Sequence, residues 1–434
     1  MAQSLTVNSR TNSTSLNLLS SMNRVEVPFI KVTIGGYVFG VYDRIRSGLS
    51  VDEYGAYRLN GIKFPNYVKS LNITKINGQV NTYNLALEYT VRETDDPNFI
   101  EKVFSSVSEG RKIVFSYGDL SVPSYCYRDE EAIILKVTSD FNIASSRIVY
   151  NVEAVSSANL LSVEKHPLLS KRKAQPSIVI EELLKDDRFG LLEIFYGMRN
   201  GLSIGGKSLI PHNDMIKNIE AQTNMSILDY LKYLVNEMTP VDNSNVVKNS
   251  VYVLTIHDDT SGELNGPYFE IVQVDNQITQ PDAYQIDIGY PNKDIVLDFH
   301  IENDESYSIY YKYSMKMNQE TYVQRVNPRG EIEEVYAPII SSGNAHYNTK
   351  ESDKSWWTKV TSYPVKASVT LKGLLRPATL MTHVRLNIYF YGKKHISSGT
   401  YIVTQQVDQI DQNGYRTTLG LTRVSGQSES EYDY

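Results

Sequence analysis

Four residues come closest to a chemical signature. Gly201, Gly206, Lys207 and Ser208 satisfy G-x-x-x-x-G-K-[ST], the loop whose backbone amides and lysine cradle phosphates. That loop needs a buried strand before it and a helix starting near the lysine. Pro211 falls in the first or second turn of the required helix. There it removes an amide and clashes with the carbonyl four residues back. Nor is there a clear buried strand ending in a Mg²⁺-binding Asp: Phe269–Val274, before Asp275, alternates polar and apolar, unlike a strand covered on both faces. The stretch reads as a glycine-rich loop.

The remaining candidates are weaker. Seven histidines are scattered, without H-E-x-x-H or a similar ligand pair. His257-Asp258-Asp259 could hold a metal but reads as a solvated strand end. Ser162-Val163-Glu164-Lys165 matches S-x-x-K without the companion motifs of that enzyme class. No G-x-S-x-G occurs. Acidic residues are too common to single out a glycosidase-like pair. The basic segment Glu164 to Lys173 (EKHPLLSKRK) reads as a solvated connector. Trp356-Trp357 sits in a polar stretch; adjacent indoles on a strand face opposite sides, so the pair reads as core packing, a subunit contact or a sugar platform. Cys126, alone, cannot form an internal disulfide and reads as a small packed hydrophobe. The sequence therefore predicts no catalytic residue, no cofactor site and no metal site.

What must position such residues is a large chain. Its 434 residues suggest two to four domains. No apolar run reaches the ~20 residues of a membrane helix, and Met1 to Arg24 lacks a signal-peptide core. The expectation is a protein made and used in a cytoplasm, or carried out as part of a particle. The net charge is −7, from 43 basic and 50 acidic side chains. That disfavours a dedicated nucleic-acid binder, yet suits a channel wall past which DNA slides without sticking. Tyrosine, at 32 residues, favours strands and interfaces.

Strand signals begin near Val25. Val25, Val27, Phe29, Val32 and Ile34 lead to Gly35-Gly36 and Tyr37-Val38-Phe39, a hairpin. Leu71 and Ile73 lead to Asn77-Gly78, and Tyr83, Leu85, Leu87, Tyr89 and Val91 return; Asn-Gly predicts a type I′ turn. Asp96-Pro97 opens a short helix with Phe99, Ile100, Val103, Phe104 and Val107 at helical spacing. Strands follow at Ile113–Tyr117, Ala132–Thr138 and Arg147–Val155. Two helices are expected at Ile178–Leu192 and Ser226–Met238, the second with Ser226 and Asp229 as a loose capping box. Strands at Val251–Ile256 and Tyr268–Val274 complete a small α/β part. The β pattern then returns at Ile295–Ile301, Ser306–Met317, Val365–Leu371, Val384–Tyr391, Tyr401–Ile410 and Tyr415–Arg423. Asn327-Pro328-Arg329-Gly330 and Asp411-Gln412-Asn413-Gly414 read as turns. The expected division is an arm over 1–24, a β domain over 25–162, a connector and small α/β domain over 163–284, a second β domain over 285–424, and an acidic tail over 425–434. No sequence repeat of solenoid or propeller period is visible.

Two stretches carry a family resemblance. One holds Val27-Pro28-Phe29, Ile34-Gly35-Gly36, Phe64-Pro65-Asn66-Tyr67, Asn77-Gly78, Asp96-Pro97-Asn98 and Phe115-Ser116-Tyr117-Gly118-Asp119. The other holds Ile396-Ser397-Ser398-Gly399-Thr400-Tyr401-Ile402-Val403, then Asp408 to Asp411, Gly414-Tyr415 and Thr417 to Arg423. This order resembles the baseplate and tail hub proteins of tailed bacteriophages. The resemblance implies a mainly β protein, with two tail-tube-like β-barrel domains flanking a small mixed domain. It implies a homotrimer whose six barrels join a sixfold tail tube protein to a threefold central spike protein. Other baseplate proteins would surround it, and the lumen would pass DNA and house a tape measure protein. The place implied is the virion tail tip, assembled in the host cytoplasm. No enzyme domain has room, and neither specific nucleic-acid binding nor a membrane is expected. A carbohydrate- or receptor-binding tail module, a cell-wall hydrolase and the hub of a phage-like injection system are the rival readings.

Overall fold

A computed structural model describes residues 28–41, 50–51, 57–59, 62–64, 68–91, 98, 101, 104–119, 127–163, 172–204, 206–220, 225–245, 250–260, 264–275, 284–289, 296–303, 320–326, 332–338, 365–373, 380–390, 392–395, 397–411 and 414–425. The first unit opens with a hairpin of β1 (Pro28–Ile34) and β2 (Tyr37–Val41). Gly35 and Gly36 sit at φ +56 and +86 between them, as a tight hairpin turn needs. Three short strands, β3 (Ser50–Val51), β4 (Tyr57–Leu59) and β5 (Ile62–Phe64), form a small sheet that the sequence reading did not anticipate. The main ladder follows: β6 (Val68–Ile76), β7 (Thr82–Thr90), β8 (Lys112–Asp119), β9 (Tyr127–Asn142) and β10 (Arg147–Val155). Its order is β6-β7-β10-β9-β8-β1-β2, all antiparallel. β1 and β2 come back against β6. The enclosed core holds Val32, Ile34, Leu71, Leu85, Phe115 and Tyr117. Tyr83 stacks on Phe115 at 4.9 Å. The expected short helix lies largely outside the described residues; Phe104, near its end, is buried and stacks on Tyr150 at 4.4 Å.

The middle unit is helical around one hairpin. β11 (Arg172–Ala174) ends the basic connector by pairing with β14 (Lys217–Ile219), so those connector residues are a strand rather than a free linker. The single helix expected over Ile178–Leu192 is instead Pro176–Lys185, a 3₁₀ turn at Asp187–Phe189 and a short helix at Leu191–Ile194. Asp186 ends the first piece: its side chain accepts from the Arg188 amide, a local bond that competes with helix continuation. The next helix, Ile227–Glu237, matches expectation. The Ser226 hydroxyl caps the Asp229 amide at 3.1 Å and donates to the Asp229 carboxylate. Between these helices β12 (Ser203–Ile204) and β13 (Lys207–Ser208) form a miniature hairpin. β15 (Ser250–His257) and β16 (Tyr268–Asp275) then pair over their full length. One face of that hairpin, with Tyr252, Leu254, Ile256, Phe269 and Ile271, packs into the helical core. The other face, with Val251, Val272 and Val274, packs into the core of the last unit.

The last unit contains β17 (Tyr284–Ile288), β18 (Val296–Asn303), a separate hairpin of β19 (Glu320–Val326) and β20 (Ile332–Pro338), β21 (Val365–Lys372), β22 (His383–Phe390), β23 (Lys393–Lys394), β24 (Gly399–Asp411) and β25 (Gly414–Ser425). The expected strand Ser306–Met317 and turn Asn327–Gly330 lie outside the described residues. β17, parallel to β22, was not expected, although Tyr284, Ile286 and Ile288 alternate with polar residues; five residues are a short signal. The ladder runs β18-β21-β25-β24, with β22 on the proximal half of β24. This is the order of β6-β7-β10-β9 with β8 on the proximal half of β9. The irregularities correspond too. The first strand bulges at Lys69 in one unit and at Leu297 in the other. The long strand bulges at Leu135 and at Thr404. The rung Leu71–Leu85–Val152–Val137 therefore matches Phe299–Val369–Leu419–Gln406. The fold is a duplication without visible sequence repeat, and the mainly β architecture, with two like β units and a smaller α/β part, is as expected.

Candidate functional site

The two ladders are one sheet. The distal half of β24 pairs antiparallel with β6, from Gln405↔Ile76 to Ile410↔Leu71. The bulge at Thr404 lets β24 leave β22 and reach β6, since a bulge bends its strand and increases its twist. Gly420 lies opposite the shift; a Cβ there would come 2.9 Å from Cβ of Gln405, so a larger residue would push the strands apart.

The Asn77-Gly78 loop is where all three units meet. The Asn77 amide donates to the Thr404 carbonyl at 2.9 Å and the Gly78 amide to the Leu254 carbonyl at 3.1 Å. The loop runs to Asn81 before β7 begins, and only Gly78, at φ +66, has positive φ. The expected two-residue type I′ turn is therefore replaced by a longer loop. The competing bonds to β24 and β15 outweigh the local Asn-Gly preference. Beside it lies a cleft of about 310 Å³, lined among others by Lys232, Val235, Tyr252, Met381 and Ile402.

A buried polar network fills the seam. The Glu130 carboxylate is 2% exposed and accepts from Lys75, from the Tyr117 hydroxyl at 2.7 Å and from that of Tyr83 at 3.0 Å. Asp258 accepts from Asn81 Nδ2 at 2.8 Å, from Ser156 and from Tyr83 at 2.9 Å. Burial pushes the Asp258 carboxyl up to about 6, outweighing the hydrogen bonds that favour its charge. Tyr83 is raised well above its ordinary range, chiefly by burial and then by both carboxylates. Its single proton serves only one carboxylate at a time. On the β24 side, Asp408 is fully buried and accepts from Thr417 at 2.6 Å, Tyr415 at 3.1 Å and Gln406 at 2.6 Å. The Tyr415 ring meets Tyr117 edge-on at 6.2 Å. The network is buried among packed strands and its donors link residues of different units, so its chemistry is attachment.

This overturns one expectation. His257-Asp258-Asp259 is not a solvated strand end. The Asp258 side chain is in the network, its carbonyl accepts from the Glu131 amide, and Asp259 bridges Glu130. His257 stacks on Tyr268 at 4.5 Å and approaches Thr255 at 3.0 Å. A clue lay in sequence: an acidic pair directly ending an otherwise apolar strand. Lys75 and Glu130 had no such signal, because their partners come from distant strands. Among the described residues, no group of three His, Cys, Asp or Glu side chains is placed to hold a metal. Nor, among them, is any helix long and apolar enough to cross a membrane.

The residues of the phosphate-loop match form a different structure. Lys207 and Ser208 are exposed strand residues paired with Ile204 and Ser203, and Gly206 turns the hairpin at φ +79. The Ser208 hydroxyl donates to the Ile210 carbonyl at 2.7 Å, and among the described residues no helix follows before Ile227. Amides in a β ladder point sideways into the pairing strand rather than converging on an anion. Ser162 lies in a short helix and bonds Asn159. Cys126 and Trp356-Trp357 lie outside the described residues.

The architecture has counterparts among solved structures. The tail protein from Neisseria meningitidis MC58 superimposes with a TM-score of 0.51 at 9% identity, covering 92% of this chain and 96% of that one. The prophage MuSo2 43 kDa tail protein from Shewanella oneidensis gives 0.49 at 10% identity, covering 91% and 98%. No family model and no curated protein matches the sequence. The chain has the fold of phage tail proteins.

Proposed function

We propose that the protein is a structural, non-catalytic hub of a phage-type tail tip or baseplate. One observation carries this: a single chain holds the same four-strand ladder twice, joined edge to edge by β24 and β6. Three such chains present six equivalent ladders while keeping threefold symmetry. That would join a sixfold tail tube protein to a threefold spike, with other baseplate proteins around it. The exposed face of the ladders is polar, with Asn84, Lys136, Asn151, Glu153, Gln409 and Arg416. Such a wall, where basic side chains such as Lys136 and Arg416 stand among neutral and acidic ones, suits a lumen that passes a genome and holds a tape measure protein. The division at 25–162, 163–284 and 285–424 follows the same reading, with the β15–β16 hairpin as the wedge between the ladders.

The test is mass by light scattering with negative-stain microscopy of the purified protein. A three-chain ring with an open centre is expected, alone or with the spike and tube proteins added. A persistent monomer at tens of micromolar, both alone and with the spike and tube proteins added, would end this reading.

A further inference from the structure

The seam inside the chain dictates where the next chain attaches. In the last unit, the distal half of β24 is covered by β6, and Ile410 on it is 5% exposed. The corresponding half of β9 in the first unit runs from Leu135 to Asn142. β10 pairs with one edge of it. The β8 side ends at Ile133, with Gly110 and Arg111 bonding Ile134 just beyond. Past that point no described strand pairs with it on that side; the Val137 amide donates to the Glu109 side chain at 3.3 Å. Phe141, the counterpart of Ile410, is 60% exposed, and Leu135, the counterpart of Thr404, is 50% exposed. At the other end of the sheet, β18 pairs only with β21 among the described residues. β18 is the counterpart of β6.

We infer that the distal edge of β9 pairs antiparallel with β18 of a second copy of this chain, repeating the β24–β6 seam between chains. The inference rests on the hub reading for its number of copies, but its register comes from the duplication. Carrying Ile410↔Leu71 across gives Phe141 opposite Phe299. Gln409↔Asn72 gives Asp140 opposite His300, Asp408↔Ile73 gives Ser139 opposite Ile301, and Val407↔Thr74 gives Thr138 opposite Glu302. These side chains suit each other: two aromatic rings meet on the core face, and a carboxylate meets an imidazole on the other. Aromatic and charge-complementary cross-strand pairs are the ones that stabilise sheets. A long unpaired edge carrying large apolar side chains is otherwise an aggregation liability. The contact is heterologous, so repeated around an axis it closes a ring.

Paired cysteines test the register. In a chain with Cys126→Ser, Thr138→Cys with Glu302→Cys gives covalent multimers under oxidation. The intrachain counterpart, Thr74→Cys with Val407→Cys, cross-links without a change of mass. A shifted pair, Thr138→Cys with His300→Cys, gives at least tenfold less multimer. Phe141→Asp, at an exposed position, leaves the monomer folded and lowers self-association at least tenfold. Rings that form without the Thr138–Glu302 cross-link, or that tolerate Phe141→Asp, overturn the inference and leave the hub reading standing. A chain that never self-associates overturns both.

Discussion

The two ladders share strand order and bulges but are completed differently. The first is completed by its own β1–β2 hairpin, and its core is rich in aromatics, Phe39, Tyr83, Phe115 and Tyr117, and carries charge, with Tyr83 and Tyr117 on the Glu130–Lys75 pair. The second is capped by a hairpin borrowed from the middle unit, and its core is mainly aliphatic, from Val251 and Val274 to Leu386 and Leu421, with Tyr401 buried among them. The same backbone plan thus accepts two chemistries. What is kept is the pair of bulges that lets one strand serve two neighbours. In the first unit the polar network fixes how the three units meet. In the second, continuous apolar packing does that work, because the inserted hairpin is buried on both faces.

The largest expected effect lies in the charged core. Glu130→Ala would leave the Lys75 ammonium buried without a partner and the Tyr83 and Tyr117 hydroxyls short of an acceptor. The expected cost is ~3–5 kcal/mol in urea unfolding. Replacing both charges, by Lys75→Met with Glu130→Leu, should recover most of it, since an apolar pair avoids desolvation. A single-variant loss below ~1 kcal/mol would show that the ion pair is not integral to the core.

The next comparison uses equivalent positions. Ile410→Ala removes a side chain that β6 covers and should cost ~2–5 kcal/mol. Phe141→Ala, at the matching place on the uncovered edge, should stay within ~0.5 kcal/mol for the isolated chain. The gap narrows in the assembled ring if the edge becomes covered there. Equal costs in the monomer would mean that the two edges are equally packed.

The strands were the most legible part. Arg147–Val155 is found where the alternation of Ile148, Tyr150, Val152 and Ala154 places it, because one face is buried and the other solvated. The helix at Ile227–Glu237 was legible through its apolar stripe and the Ser226 cap. The Asn77-Gly78 turn was found but mistyped, since its conformation is set by Thr404 and Leu254 carbonyls remote in sequence. β17 was missed because a short parallel strand owes its existence to β22. Two like domains were expected from the resemblance, but the register of the duplication was not legible: Leu71 and Phe299, or Val137 and Gln406, match in rung but not in residue type. The seam network is assembled from Lys75, Glu130, Asp258 and Asp408, four positions that no spacing rule connects.

Acid titration sharpens the contrast last, because it isolates one buried group. Asp258 has a folded-state value near 6, against about 3.9 in an unfolded chain. Between these values the native state holds the proton and the unfolded state does not. By linkage, this group's contribution to stability therefore falls as pH rises from about 4 to about 6, then stays level. Its size is on the order of 2–3 kcal/mol across that window. Other carboxylates titrate there too, so the informative quantity is the difference between the wild-type chain and Asp258→Asn. The wild-type minus variant stability should decline across the window and be flat from pH 6.5 to 8. Protonated, Asp258 can itself donate to the Tyr83 oxygen and leave the Tyr83 proton to Glu130. Neutralising Asp258 thus removes the conflict between two carboxylates over one hydroxyl. A difference that rises with pH instead would mean that the Ser156 and Asn81 bonds outweigh burial, and that Asp258 sits at the seam as a stabilised anion.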